Sequence, residues 1–167
     1  MNATVDMVKN LRLNTGAGVM DCKRALEEAD GDIQKAEDLL KERGIAVAAK
    51  KASRETREGV IEAYIHSGNR LGGLVELNCE SDFVARTNEL RSIAHDIAMQ
   101  VAAMSPSYIT SEEMPDDDRR PPEEVCLLLQ PFIKDSSRTV GDVVQDTIAL
   151  VGENIRVRRF TRFALGE

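Results

Sequence analysis

One change of period divides this chain. Over residues 4–51 the apolar residues recur at helical spacing. After a polar, basic stretch, "AAKKASRETREG" (Ala48–Gly59), they gather instead into short runs rich in Val, Ile and Tyr. In the first part, Val5, Val8 and Leu11 make a stripe that "NTGAG" breaks, because Gly16 and Gly18 permit backbone angles other residues resist. A second helix is expected over about Val19–Ala29, with Cys22, Ala25, Leu26 and Ala29 on one face. "DGD" (Asp30–Asp32) supplies a stop and a new N-cap. A third helix then carries Ile33, Ala36, Leu39 and Leu40, with Gly44 as its expected end. Three short helices with tight turns make a bundle that is marginal by itself and suits a module attached to something larger.

Beyond the linker, "VIEAYIH" and "LGGLVELNC" flank the turn signal Gly68-Asn69 and predict an antiparallel hairpin. Gly72 and Gly73 within the second run suggest a bulge or a close backbone approach. The strongest helical pattern follows: Leu90, Ile93, Ala94, Ile97, Ala98, Val101 and Ala102, stopped at Ser105-Pro106. "EEMPDDDRRPPEE" (Glu112–Glu124) reads as an exposed loop, and "VCLLLQPF" as a short buried helix ending near Pro131. "TVGDVVQDTIALVGE" predicts another helix, with a capping box at Thr139 and Asp142 and a stop at Gly152. "NIRVRRFTRFAL" closes as a strand whose alternation slips at Arg158-Arg159, as a bulge would make it. The fold class is therefore α+β: an N-terminal three-helix bundle, residues 1–54, then a core, residues 55–167, in which helices cover a small antiparallel sheet.

Composition narrows the chemistry. Aromatic residues make up 4% of the chain, so Ala, Val, Leu and Ile must fill the core. The net charge of −7 disfavours a phosphate-tracking nucleic-acid binder, and the basic strand "RVRRFTR" reads better as a solvated sheet face. No run approaches a membrane span, and "MNATVDMVKN" lacks the apolar core of a signal peptide, so a cytoplasmic location is expected. Cys22, Cys79 and Cys126 are too widely spaced for a zinc site and read as reduced, buried thiols. His66 and His95 have no local partner pattern for catalysis. "TGAG" follows a helix instead of a buried strand, and Lys23 is not followed by Ser or Thr, so a P-loop is not indicated. What remains is apolar side chains at element tips. Val19 and Met20 open a helix whose core face is already taken. Phe83 follows Asp82 just after a strand, where it either projects as a wedge or folds back beside Val84.

Two stretches then carry a resemblance. "LRLNTGAGVMDCKRAL" (Leu11–Leu26) and "ELNCESDFVAR" (Glu76–Arg86) resemble the two signature motifs of the translation elongation factor Ts family. "AAKKAS", "LLLQPFIKD" and "GENIRVRRFTRF" are similar to that family as well, so the match extends over most of the chain. The resemblance implies a guanine nucleotide exchange factor for elongation factor Tu, with no covalent chemistry, no cofactor, and no direct contact with nucleic acid or membrane. It implies that the N-terminal bundle is ubiquitin-associated-like and docks on the GTPase through Arg12, Val19 and Met20. It implies that Ser81, Asp82 and Phe83, with Val84 beside them, intrude near the nucleotide's magnesium. Asp82 would either add charge there or cap the turn. Family members usually carry a further helical segment where this chain has only "EEMPDDDRRPPEE". The single core half resembles short members, which implies a homodimer. The alternative is a protein-binding adaptor without exchange activity.

Overall fold

At most of the α-helix starts a Thr, Asp or Ser side chain meets a free backbone donor. In the computed structural model, which describes residues 3–167, Thr4 Oγ1 accepts the Met7 amide and starts α1 (Val5–Thr15). Gly16 ends it in the left-handed region at φ 69°. α2 is Val19–Glu28, and Asp32 caps α3 (Ile33–Lys51) by accepting from the Lys35 amide. Leu11, Cys22, Ala25, Leu26, Ala29 and Ala36 form the buried cluster of these helices. Their small size lets the helices close without aromatic filling.

α3 does not stop at Gly44, contrary to the sequence expectation. It continues to Lys51, so the first residues read as linker are helical. Gly44 is buried, and Ala149 lies 3.6 Å from where a Cβ would stand on it. That is ordinary van der Waals distance, so a helical residue fits here, and burial against the neighbouring helix carries α3 through a glycine that costs ~1 kcal/mol in a helix interior. The run "IAVAA" after it offers no stop. Ala48 accordingly belongs to the second, larger apolar cluster.

That cluster is built on a three-stranded antiparallel sheet of order β1-β2-β5, made of Glu58–Ile65, Leu71–Cys79 and Ile155–Ala164. The β1–β2 register runs from Glu58 opposite Cys79 to Ile65 opposite Gly72, and Gly68 and Asn69 turn the hairpin with positive φ. Glu76 pairs with Arg159 and Leu77 with Val157, leaving Arg158 as the extra residue of a bulge. Helix α5 (Asn88–Met104) lies across the inner face, burying Leu90, Ile93, Ala94, Ile97, Ala98, Val101 and Ala102 with Val75, Leu77 and Cys79. Gly73 makes this possible, since a Cβ there would stand 2.5 Å from the Ala98 carbonyl oxygen. The one-turn helix α4 (Asp82–Ala85) links β2 to α5. Among the described residues no helix lies over the outer face, and Ile61, Ile65, Leu74 and Phe163 are exposed there.

The segment "VCLLLQPF" is not one helix. It divides into the end of α6 (Pro122–Val125), a 3-10 turn at Leu127–Leu129, and β3 (Pro131–Phe132), which pairs with β4 (Asp135–Thr139). The reason is a buried polar pair. Gln100 Nε2 donates to Gln130 Oε1 and to the Pro131 carbonyl, Gln100 Oε1 accepts the Ile133 amide, and Gln130 Nε2 donates to the Glu124 carbonyl. Side chains from two elements thus satisfy backbone groups that a helix would have satisfied internally. The loop before it is pinned by Asp118, which accepts from Tyr108 Oη at 3.0 Å and from Arg120 Nη2 at 2.5 Å. The Arg120 hydrogen bonds hold the Asp118 carboxyl well below its ordinary range. Helix α7 (Val140–Val151) begins with the expected capping box at Thr139 and Asp142 and ends at Gly152. Gly73→Ala should lower stability by about 1–3 kcal/mol, the usual cost of overpacking, read as a fall in the thermal unfolding midpoint.

Candidate protein-docking site

The junction after β2 turns on Ser81. Its Oγ caps α4, accepting the Val84 amide at 3.4 Å, and the Ala85 amide returns to the Ser81 carbonyl at 3.2 Å. Asp82 is therefore not the cap. Its carboxylate instead pairs with Arg86, four residues on, at 3.0 Å. Val84 and Ala85 point into the core, and Phe83, between Asp82 and Val84, is 80% exposed. One turn of helix explains the split, because side chains one position apart diverge by about 100°. Thr87 fixes the exit: its Oγ1 donates to the Val84 carbonyl and accepts the Leu90 amide, ending α4 and capping α5.

The upstream flank of the turn is braced from a distant loop. Glu153 Oε2 accepts the Glu80 and Ser81 amides at 3.2 and 3.0 Å, and its Oε1 accepts Ser81 Oγ at 2.5 Å. The Asn154 amide donates to Glu80 Oε1 at 2.7 Å. Nothing in the sequence pairs these residues, which lie more than seventy positions apart. Only the "GEN" that follows a helix stop hinted at a polar turn there.

A second exposed tip lies in the helical bundle. Arg12, Val19 and Met20 are all exposed, Met20 at 61%. Gly18 precedes α2 without a side-chain cap. Leu13, which the periodicity did not single out, is 74% exposed beside Arg12. The periodicity held no signal for it, since Val5, on the apolar stripe, is 84% exposed as well.

The groups that covalent chemistry would use are otherwise engaged. All three cysteines are buried. Burial and the nearby Glu153 carboxylate push the Cys79 thiol up to about 11, and burial raises Cys22 and Cys126 too. A reactive cysteine needs the opposite shift. His66 Nδ1 pairs with Tyr64 Oη, and His95 Nδ1 with Glu62. Among the described residues no group of three or more His, Cys, Asp or Glu is disposed to hold a metal ion, and no helix is long and apolar enough to cross a membrane.

The fold and these surfaces define a class: a small α+β protein that holds apolar side chains outward at the tips of a helical bundle and of a sheet-helix core. Comparison with known proteins agrees and goes further. A model of the family "Elongation factor TS" matches residues 32–120. The chain is 50% identical to an elongation factor Ts of Carboxydothermus hydrogenoformans, with 98% of this chain and 89% of the relative covered. It is 45% identical to one of Thermotoga neapolitana, with 100% and 99% covered. The chain belongs to the elongation factor Ts family, proteins of translation elongation. The alignments span 194 and 195 positions against 167 residues here, so these relatives carry internal residues that this chain lacks.

Because Phe83 contributes little to the core, Phe83→Ala should change folding stability by no more than about 0.5 kcal/mol. Leu90→Ala, at a fully buried position, should cost about 2–5 kcal/mol. Urea unfolding of both variants checks the contrast.

Proposed function

We propose that this protein is a guanine nucleotide exchange factor for elongation factor Tu, acting in the cytoplasm without a covalent step or a cofactor. The observation that carries this is Phe83, an aromatic ring held outward on a capped, braced turn inside the family's motif. The GTPase holds its nucleotide through phosphate contacts and a Mg²⁺ ion that demands near-octahedral geometry. Burying the Phe83 ring in the partner contributes about 2–3 kcal/mol. Applied to a conformation with a displaced metal and phosphate site, that would weaken nucleotide binding by about 30- to 150-fold. The coupling is reciprocal, so fresh nucleotide releases the factor in turn. Arg12, Val19 and Met20 form the second contact, on the GTPase domain. Ser81 and the buried Val84 hold the turn from below. Asp82, paired with Arg86, brings a carboxylate beside the entering ring.

Release of a fluorescent GDP analogue from elongation factor Tu tests this. Catalytic amounts of the wild-type protein should accelerate release, and Phe83→Ala should slow it at least tenfold. Binding with an unchanged release rate would leave an adaptor instead.

The homodimer fits the bare face of the sheet. Ile61, Ile65, Leu74 and Phe163 are its exposed apolar residues; Glu76 among them is ion-paired with Arg159 at 2.6 Å, and Arg156 and Arg158 add basic charge along the β5 side. On a chain of net charge −7, an apolar face free of unpaired carboxylates is one that an acidic second copy approaches with little repulsion. Two such faces would pack sheet on sheet about a two-fold axis. Sedimentation should give twice the chain mass for the wild type and a monomer for Ile61→Glu. A monomeric wild type at micromolar concentration would contradict the dimer.

A further inference from the structure

The turn that presents Phe83 is too short to hold itself. α4 has four residues, well below the length at which a helix persists without help. Its downstream half is anchored by the buried Val84 and Ala85, and by Thr87. Its upstream half, where the chain leaves β2, depends on one side chain from the α7–β5 turn. Of the four hydrogen bonds that join the two loops, three run to the Glu153 carboxylate. Two of the donors, the Glu80 and Ser81 amides, lie past the end of the β2 ladder and have no strand partner. The third, the Ser81 hydroxyl, spends its proton on Glu153 and keeps a lone pair for the Val84 amide. The carboxylate therefore selects the rotamer in which Ser81 caps α4.

We infer that Glu153 is a positioning residue for exchange: its carboxylate locks Ser81 into the capping rotamer and so holds Phe83 outward before the partner arrives. The inference rests on the exchange reading above. The same turn also reaches the other docking unit. Asn154 Nδ2 donates to the Arg54 carbonyl at 2.9 Å, and Lys51 Nζ donates to the Gly152 carbonyl at 2.6 Å. The brace of the Phe83 turn and the end of α3 are thus one continuous network. Without the carboxylate, the competent arrangement becomes a fraction of the free ensemble, and the apparent affinity for the partner falls by that fraction.

The chain contains no Trp, so Phe83→Trp introduces a single indole that reports on the turn. In the free protein, adding Glu153→Ala should lower the residual fluorescence anisotropy of that indole. Glu153→Gln, whose Oε1 can still accept the two amides while its Nε2 donates to Ser81 Oγ instead of accepting from it, should restore it in part. In the Phe83 background, Glu153→Ala should raise the KM for the elongation factor Tu·GDP complex roughly tenfold with kcat little changed, and Glu153→Gln should recover part of the loss. Ser81→Ala, which removes the other end of the clamp, should raise KM in the same way and supplies a second route if Glu153→Ala folds poorly by circular dichroism. An unchanged anisotropy, an unchanged KM, or a fall in kcat alone would overturn the inference. If the wild-type protein itself fails to release GDP, the exchange reading is at fault, and the anisotropy change then upholds or overturns the ordering role of Glu153 by itself.

Discussion

Everything in the core follows from how closely α5 approaches β2. At Gly73 the helix backbone comes within reach of the strand backbone, closer than any side chain allows. That contact buries one face of the sheet with Ala, Val, Leu and Ile alone, as a chain poor in aromatic residues requires. It also commits α5 to that face, so the other remains bare. And it fixes where α5 begins, at the Thr87 cap, which leaves the chain one helical turn to travel from the end of β2. The outward ring of Phe83 is the product of that short path: a single turn with Val84 and Ala85 committed inward has only one direction left for its other side.

Much of this was legible in the sequence, because the signals were local. The hairpin at Gly68-Asn69, the α5 stripe, the Thr139–Asp142 capping box, the Gly152 stop and the bulge at Arg158 are all set by neighbours within a few residues. The misreadings occurred where a distant residue decided. Gly44 reads as a stop until the helix is buried against a distant one, with Ala149 beside it. "VCLLLQPF" reads as a helix until Gln100 competes for its backbone. At the candidate site the same division holds. Asp82 and Phe83 stand out by type and position, but Phe83 could not be assigned to surface or core, and Glu153 could not be found at all. Its partners lie 72 and 73 positions away, and a lone Glu after a glycine has no spacing to detect.

The two tips differ in how they are held, and this bears on what each can do. Val19 and Met20 sit on the first turn of a longer helix whose opposite face is the bundle core, so their direction comes from packing. Phe83 sits on a single turn, and its direction comes from the buried Val84 and Ala85 together with hydrogen bonds at both flanks. Packing gives a firm surface suited to uniform binding, which contributes affinity without discriminating between states of the partner. A short braced turn can enter where a bundle face cannot. In the exchange proposed above, its apolar ring would gain only in a partner conformation that opens to receive it, which is the differential interaction that shifting an equilibrium requires.

An exposed ring on a brace also carries a cost that the fold must meet. Ordering a turn opposes about 1–2 kcal/mol of backbone entropy per residue, and an outward Phe returns nothing in the free protein. The inward half must therefore supply the stabilisation. Val84 and Ala85 supply part of it by burial. The rest falls to groups that would otherwise be unpaired: the Glu80 and Ser81 amides and the Ser81 hydroxyl, all satisfied by one carboxylate. Hydrogen bonds to a charged acceptor are roughly twice as strong as neutral ones, so a carboxylate suits this position better than an amide. The ring can then be apolar and solvent-exposed at once, because the stability of its turn does not depend on where the ring points.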